Sequence, residues 1–431
     1  MMGGIQVLRL AYDTPVCVGH IDRESATFAY DPGYLAKTDS VPLSLSLPLR
    51  AEPYDAPSIR PYFEGLLAEG TARQALAAEL GLAVEDYLGL LVACGKDCVG
   101  DVLVLEAGDT RETDSAEAMG YAPVSPDELS AMFGSYSEAA EENAASRLSL
   151  AGTQNKVGLA HDPSASPSDG WLRPRGLAAT THILKTSYLR DIPEIEYLCM
   201  RAARICGIAV PDTFLIAGQN PVLAVSRFDR VVQGRGTALQ VRRVHQEDMS
   251  QAFGLQPGSK YAELVGGSVA SIARLIKRFS TQPAQDLSQF ARALLFNFAI
   301  GNCDAHLKNY SIELVRGADG RVRFRLAPMY DLVCTTRYPR FSRNLAMRIG
   351  GAQTIDDVDT EQLEAYARDL GVTTKAVRNW AEEIVGNVVS GIEAAGEGAC
   401  GEVFESTPYV AEGLIEDMLP RLEALRSFCS G

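Results

Sequence analysis

The chain has 431 residues, 46% hydrophobic and 22% charged, a balance that suits a globular protein with a core to bury and room for two or three domains. Fifty-five acidic residues against 40 basic ones leave a net charge of −15, which opposes direct binding to a nucleic-acid backbone. No apolar run reaches the ~18–20 residues of a membrane span. No signal peptide is visible, and nine cysteines fall without a CxxC pair, so the expectation is a reduced, cytoplasmic chain with neither a disulfide framework nor a zinc site.

In chain order, the first stretch reads as β-rich. Apolar residues alternate at 5–11, 16–20 and 27–30, separated by turn chemistry, and again at 41–49. Helical patterns follow at 62–80, stopped by Gly81, and at 84–94, and residues 102–105 return as a strand. From 106 to 142 acids dominate with Arg111 as the single base, which predicts an exposed connector; within it Ser125-Pro126-Asp127-Glu128 has the pattern of a capping box opening a short helix. Strands are predicted at 148–159 and 181–185, and a helix at 193–206 with Ile195, Leu198, Cys199, Ala202 and Cys206 as its apolar stripe. Beyond Asp286 the pattern is mostly helical, broken at 302–314 and 321–332. The implied domains are 1–106, an acidic connector 107–146, a nucleotide-binding region 147–244 and a helical lobe 245–431.

One tempting motif fails. Gly89 to Gly95-Lys96 resembles a phosphate-binding loop, but it has five intervening residues instead of four and Asp97 where a metal-binding hydroxyl belongs. The informative stretch is Asn302-Cys303-Asp304-Ala305-His306-Leu307-Lys308-Asn309. Asp304 followed by Asn309 has the D-x-x-x-x-N spacing of a kinase catalytic loop, in which the acid takes the attacking hydroxyl's proton and the amide holds a metal. Asp331, just past one intervening hairpin, occupies the place of the second metal ligand. Upstream, Thr181–Lys185 is a strand ending in a lysine that can reach phosphates, and Glu194 or Glu196 at the next helix start could pair with it. Residues 149–156 could lay backbone N–H groups over phosphates, and 221–230 suits a hinge against adenine. The order of these pieces, more than any one of them, points to phosphoryl transfer.

Those segments, together with His245-Gln246-Glu247-Asp248, Tyr330-Asp331-Leu332, Tyr62-Phe63-Glu64-Gly65 and Gly95-Lys96-Asp97-Cys98-Val99-Gly100, resemble the successive motifs of HipA-type toxin kinases along essentially the whole chain. The resemblance implies an α/β, protein-kinase-like fold related to phosphoinositide kinases, two-lobed, with a small β-rich N-terminal subdomain and a helical C-terminal lobe. It implies an ATP- and Mg²⁺-dependent Ser/Thr kinase with Asp304 as base, Asn309 and Asp331 as Mg²⁺ ligands, and Lys185 on the phosphates. Ala151, Gly152, Thr153, Gln154 and Asn155 would form the phosphate loop, and Val225, Ser226 and Phe228 the adenine hinge. His306 would join the nucleotide set by orienting the catalytic loop, and Ser149 would be autophosphorylated. The partners implied are a protein substrate, such as an aminoacyl-tRNA synthetase or other translation factor, and a helix-turn-helix antitoxin through which alone DNA is reached; no membrane is implied. His245–Asp248 is expected to open a helix, its acids capping it. Two other readings share the nucleotide half: a non-catalytic co-repressor scaffold and a kinase for a small hydroxylated molecule.

Overall fold

The computed structural model describes residues 4–11, 14–108, 120–134, 136–145, 155–187, 189, 191–216, 221–316, 319–398, 401 and 403–431. The chain forms two compact units. Unit 1 comprises Met1–Tyr188, Ile216–Pro257 and Glu313–Val322; unit 2 comprises Leu189–Leu215, Gly258–Ile312 and Arg323–Gly431.

Unit 1 opens with strands β1 (Ile5–Arg9), β2 (Val16–Asp22) and β3 (Thr27–Tyr30), which join β4 (Val102–Glu106) in the antiparallel order β3-β2-β1-β4. Ile5, Val7, Val18, Ile21 and Phe28 turn one face inward against Ile59, Tyr62 and Phe63, all fully buried. The single helix expected at 62–80 is two helices, Ala56–Gly65 and Gly70–Leu80. The first starts earlier than its apolar pattern because Asp55 caps it by accepting from the Ser58 N–H, while Pro57 at its start needs no donor. Pro61 deprives the Pro57 carbonyl of its intrahelical donor, and Gln256 Nε2 donates to that oxygen instead at 3.2 Å. The alternating 41–49 segment is no strand beyond a bridge between Ser44 and Leu47. Leu43 and Leu47 are buried, but Pro42 and Pro48 cannot donate to a ladder, and the serines bond elsewhere.

That elsewhere is Glu247. Its carboxyl is fully buried and accepts from Ser44 Oγ at 2.5 Å and the Leu45 N–H at 2.8 Å. The predicted capping by 245–248 therefore belongs to Asp248 alone, which forms a capping box with Gln251 at helix Met249–Ala252. Burial pushes the Glu247 carboxyl from 4.5 up to about 8. A raised carboxyl stabilises the fold fully below its unfolded value, and that contribution is lost as pH rises through the folded one. Wild type should thus lose stability between about pH 5 and 8, by up to roughly 5 kcal/mol. Glu247→Gln, which copies the neutral acid, should flatten that slope; parallel thermal melts of both proteins across this range would check it, and identical slopes would refute it.

The second sheet of unit 1 runs β5 (Gly120–Pro123), β7 (Trp171–Arg175), β6 (Asn155–His161), β8 (His182–Thr186), then β10 (Val222–Ser226); the intervening β9 (Thr213–Ile216) brings the chain back from unit 2. The acidic stretch expected to be an exposed connector thus supplies an edge strand. It also supplies two helices, Pro126–Ala131 and Tyr136–Ala145, on which Leu129, Ala139 and Ala140 are buried. Ser125 caps the first with the predicted capping box.

A buried ionic cluster fastens this second sheet to the 97–101 segment. Asp97 accepts from Arg230 Nη2 at 2.8 Å, Arg243 Nη2 at 3.3 Å, Arg227 Nη1 at 3.5 Å, and from the Thr180 N–H and hydroxyl at 2.9 and 2.6 Å. Asp229 takes Arg227 Nη2 at 2.8 Å and the Gly100 N–H at 2.6 Å. Asp101 bridges Arg9 and His245, each at 2.8 Å. Burial opposes ionisation of all three acids, yet the arginines around Asp97 and Asp229, and Arg9 with His245 around Asp101, hold them below the ordinary carboxylate value.

In unit 2, helix Ile192–Ile205 buries Ile195, Leu198, Cys199 and Ala202 of the predicted stripe. Helices Ser268–Phe279, Pro283–Ile300, Thr360–Leu370, Thr374–Gly396 and Thr407–Ser430 make up most of the rest. Among the described residues no helix is long and apolar enough to cross a membrane.

Candidate active site

The core of the site lies at the end of helix Pro283–Ile300. Gly301 takes the left-handed conformation (φ 80°) that stops the helix, and the Asn302 N–H closes back on the Asn297 carbonyl at 2.8 Å. Only glycine serves here, since a Cβ would strike Thr336 Oγ1 and the Arg421 guanidinium. The turn delivers the chain directly into 302–309. Asn297 Nδ2 donates to the Tyr310 hydroxyl at 3.1 Å, and its Oδ1 accepts from Asn302 Nδ2 at 2.8 Å. Asn302 Oδ1 then accepts the Asp304 N–H at 3.0 Å. The Cys303 N–H donates to Thr335 Oγ1 at 2.8 Å, so the loop is fixed from both sides. These bonds answer why so polar a segment follows so apolar a helix: each buried amide has a partner.

Asp304 is exposed, and its Oδ1 accepts the Tyr261 hydroxyl at 2.7 Å. It borders a cavity of about 680 Å³ lined also by Tyr261, Glu263, Phe341 and Arg348. Five residues on, a 3-10 turn (Leu307–Asn309) buries Asn309, whose Nδ2 donates to Asp331 Oδ2 at 3.2 Å. Asp331 has φ 61°, a left-handed backbone that a non-glycine residue adopts at a cost of about 1–3 kcal/mol and that concentrates at functional sites. Tyr330 holds the two segments together, its hydroxyl donating to the Lys308 carbonyl and meeting Ser311 Oγ, both at 2.7 Å. An amide oxygen beside a carboxylate is a hard donor set, suited to Mg²⁺ more than to a thiophilic metal. His306 is buried; its backbone N–H donates to the Asp304 carbonyl at 2.7 Å and its ring meets Tyr261 edge-on at 5.3 Å. Sequence reasoning missed Tyr261, because no spacing ties it to the loop. Cys303, next to the acid, is held as the neutral thiol by burial, which raises it above its usual value.

Most of the other predicted residues lie in unit 1. Lys185 is buried in β8, directly opposite Lys156 of β6 and Leu223 of β10. Val225 and Ser226 are in β10, where Ser226 pairs with His182 and their side chains meet at 2.9 Å. Arg227 and Arg230, flanking half-buried Phe228, belong to the ionic cluster and leave the backbone of 227–230 firmly seated. Ser149, Ala151, Gly152, Thr153 and Gln154 lie outside the described residues, as does the side chain of Asn155, whose backbone begins β6. Glu194 in unit 2 accepts from Ser406 Oγ at 2.9 Å and Thr407 Oγ1 at 2.7 Å, at the start of helix Thr407–Ser430; Glu196 is buried.

Residues 11–105 match the HipA N-terminal domain family and residues 148–392 the HipA-like C-terminal domain family. Y4mE of Sinorhizobium fredii, provisionally named a kinase, is 35% identical over 85% of this chain and 85% of its own. The serine/threonine-protein kinase toxin HipA of Shewanella oneidensis is 26% identical over 81% of this chain and 80% of its own. Among solved structures, HipA of Shewanella oneidensis MR-1, determined with HipB and its operator DNA, superposes with a TM-score of 0.79 at 22% identity, covering 99% of each chain.

Proposed function

The chain belongs to the HipA-type family of toxin kinases, and on that footing we propose that it transfers the γ-phosphoryl group of ATP to a serine or threonine of a protein. The observation that carries this reading is the convergence of Asn309 and Asp331 at 3.2 Å on either side of a loop that presents exposed Asp304 to a cavity. Asn309 and Asp331 would hold Mg²⁺, which when bound neutralises charge on the phosphates. Asp304 orients the acceptor hydroxyl and takes its proton as the new P–O bond forms and the bond from the γ-phosphorus to the bridging oxygen breaks, releasing ADP. Lys185, directly opposite Lys156 on the neighbouring strand, would contact the phosphates. The β10 backbone at Val225 and Ser226, with Phe228, supplies the adenine hinge, and 151–155 the phosphate loop.

The substrate is a translation-related protein, and the partner is an antitoxin resembling the HipB that accompanies the matched structure. A net charge of −15 suits a chain that leaves DNA contact to such a partner. Ser149, next to the proposed phosphate loop, is the autophosphorylation site; a phosphate there adds a charge of about −1.5 to −2, which repels the nucleotide. The test is incubation of the purified chain with labelled ATP and a bacterial lysate. The expected result is a Mg²⁺-dependent labelled protein band, plus one phosphate on the chain itself that peptide mapping assigns to Ser149. No transfer to any protein, with ATP consumed on small hydroxylated compounds, would overturn the protein-kinase reading; a labelled band with Ser149 unmodified would remove only the self-modification.

A further inference from the structure

A second cluster of reactive side chains lies in the first sheet of unit 1, apart from every residue of the proposed kinase site. In β2 the register against β1 slips between Val7 and Leu8, where Val7 faces Gly19 but Leu8 faces Cys17. Val18 is the extra residue of a β-bulge. In an unbroken strand, residues three apart point to opposite faces. Here the bulge keeps Val18 and Ile21 in the core and turns both half-buried Cys17, packed against the Leu8 and Leu10 cluster, and exposed His20 to the opposite face. Asp31 is brought alongside by the adjoining end of β3, its N–H donating to the Val18 carbonyl at 2.8 Å. One carboxylate oxygen of Asp31 caps the following turn by accepting from the Tyr34 N–H at 3.0 Å, which fixes the side chain.

Cys17 Sγ, His20 and the Asp31 carboxylate offer ligand atoms that all lie within 4.8 Å of one another. Cys17 Sγ and His20 Nε2 are 3.6 Å apart. Zn–S and Zn–N bonds of about 2.3 and 2.0–2.1 Å meeting near the tetrahedral angle place sulfur and nitrogen about 3.5–3.6 Å apart. Thiolate, imidazole and carboxylate together form a borderline-soft set that selects zinc over Mg²⁺ or Ca²⁺. We propose that Cys17, His20 and Asp31 form a three-ligand site for a zinc-class divalent ion, with its fourth position open to solvent. The spacing Cys-x-x-His carries this in the sequence, yet without the bulge it would not place both side chains on one face. Binding replaces the Cys17 thiol proton by the metal and releases that proton to solvent.

The competing explanation of the same distance is a plain thiol–imidazole hydrogen bond, and the two are separable. Among the described cysteines only Cys17 and Cys429 are not buried, so alkylation followed by peptide mapping reads Cys17 cleanly. Full-length, chelator-treated protein titrated with Co²⁺ should take up one equivalent with a thiolate-to-metal charge-transfer band. Added Zn²⁺ should abolish that band and slow Cys17 alkylation by about tenfold or more. Cys17→Ser should lose the band, and His20→Gln, at an exposed position that leaves the fold untouched, should weaken uptake by at least about tenfold. Cys17 alkylated equally fast with and without Zn²⁺, or a charge-transfer band that survives in Cys17→Ser, would overturn the site.

Discussion

Asp304→Asn should reduce phosphoryl transfer by about 10²–10⁴-fold, the usual worth of a positioned general base, while Mg²⁺-ATP affinity stays within about twofold of wild type. The separation follows from geometry. Asp304 projects to the cavity and Tyr261, whereas Asn309 and Asp331 face one another across the loop. An asparagine keeps an oxygen for the Tyr261 hydroxyl and so preserves the local hydrogen bond. Asp331→Ala, by contrast, should lose metal-dependent nucleotide affinity along with transfer, since it removes the carboxylate that Asn309 faces. Calorimetric titration of ATP with and without Mg²⁺ on both variants separates the roles. Equal loss of affinity in the two would mean that Asp304 belongs to the metal-binding set, and unchanged Mg²⁺-ATP affinity in Asp331→Ala would remove that residue from it. Expressed without a partner, wild type should slow bacterial growth and the Asp304 variant should not.

The second large effect concerns stability. Asp97→Ala should destabilise unit 1 by about 3–5 kcal/mol, the cost of leaving buried charges uncompensated. Arg227, Arg230 and Arg243 all donate to Asp97; without it Arg227 and Arg230 retain Asp229, while Arg243 loses this carboxylate. Asp97→Asn keeps the shape and an acceptor for Thr180, so it should fall between wild type and alanine. Acidification should act in the same direction as mutation: Asp97, Asp101 and Asp229 are held low, so the stability they contribute is present above the ordinary carboxylate value and lost as pH falls below it. Urea unfolding at neutral pH would test the mutations, and an Asp97→Ala midpoint equal to wild type would show the cluster to be dispensable. Because Thr180 leads into β8 and Arg227 follows β10, loosening the cluster should also weaken nucleotide binding at the proposed contacts, Lys185 and 225–228.

What the sequence could reveal divides by the range of the signal. The polar turn from Asp304 to Asn309 was legible because it is complete within six residues, and Ser125 because a capping box is complete within four. The ladders of β1 to β3 were legible for a similar reason, each strand carrying its own alternation between turn residues. Glu247 was misread as a cap because its real partners, Ser44 and Leu45, lie some two hundred positions away. A separation of 130 to 146 positions hid the ionic cluster as well: nothing local distinguishes Asp97 from a solvated acid until 227–243 folds over it. The apolar periodicity of 62–80 ran through a helix break that only buried Leu66 and Leu67 explain, since both satisfy the pattern while sitting in the turn between helices.

The discontinuity of unit 1 bears on how the chain is made. The first 188 residues contain Asp97 and Asp101 but not Arg227, Arg230, Arg243 or His245, and the last segment of the unit ends at Val322. At ribosomal speeds of about 5–20 residues per second, the early acids emerge on the order of ten seconds before the final segment does. During that interval they must remain hydrated and the sheets around them incomplete. A nascent chain stalled near residue 200 therefore carries no finished nucleotide half, and a cell translating this message meets a competent kinase only when most of it has been read. For the same reason, fragments cut at 106 or at 188 are poor reagents, since each strands a buried carboxylate whose counter-charges lie downstream. Dissection of this protein calls for full-length variants.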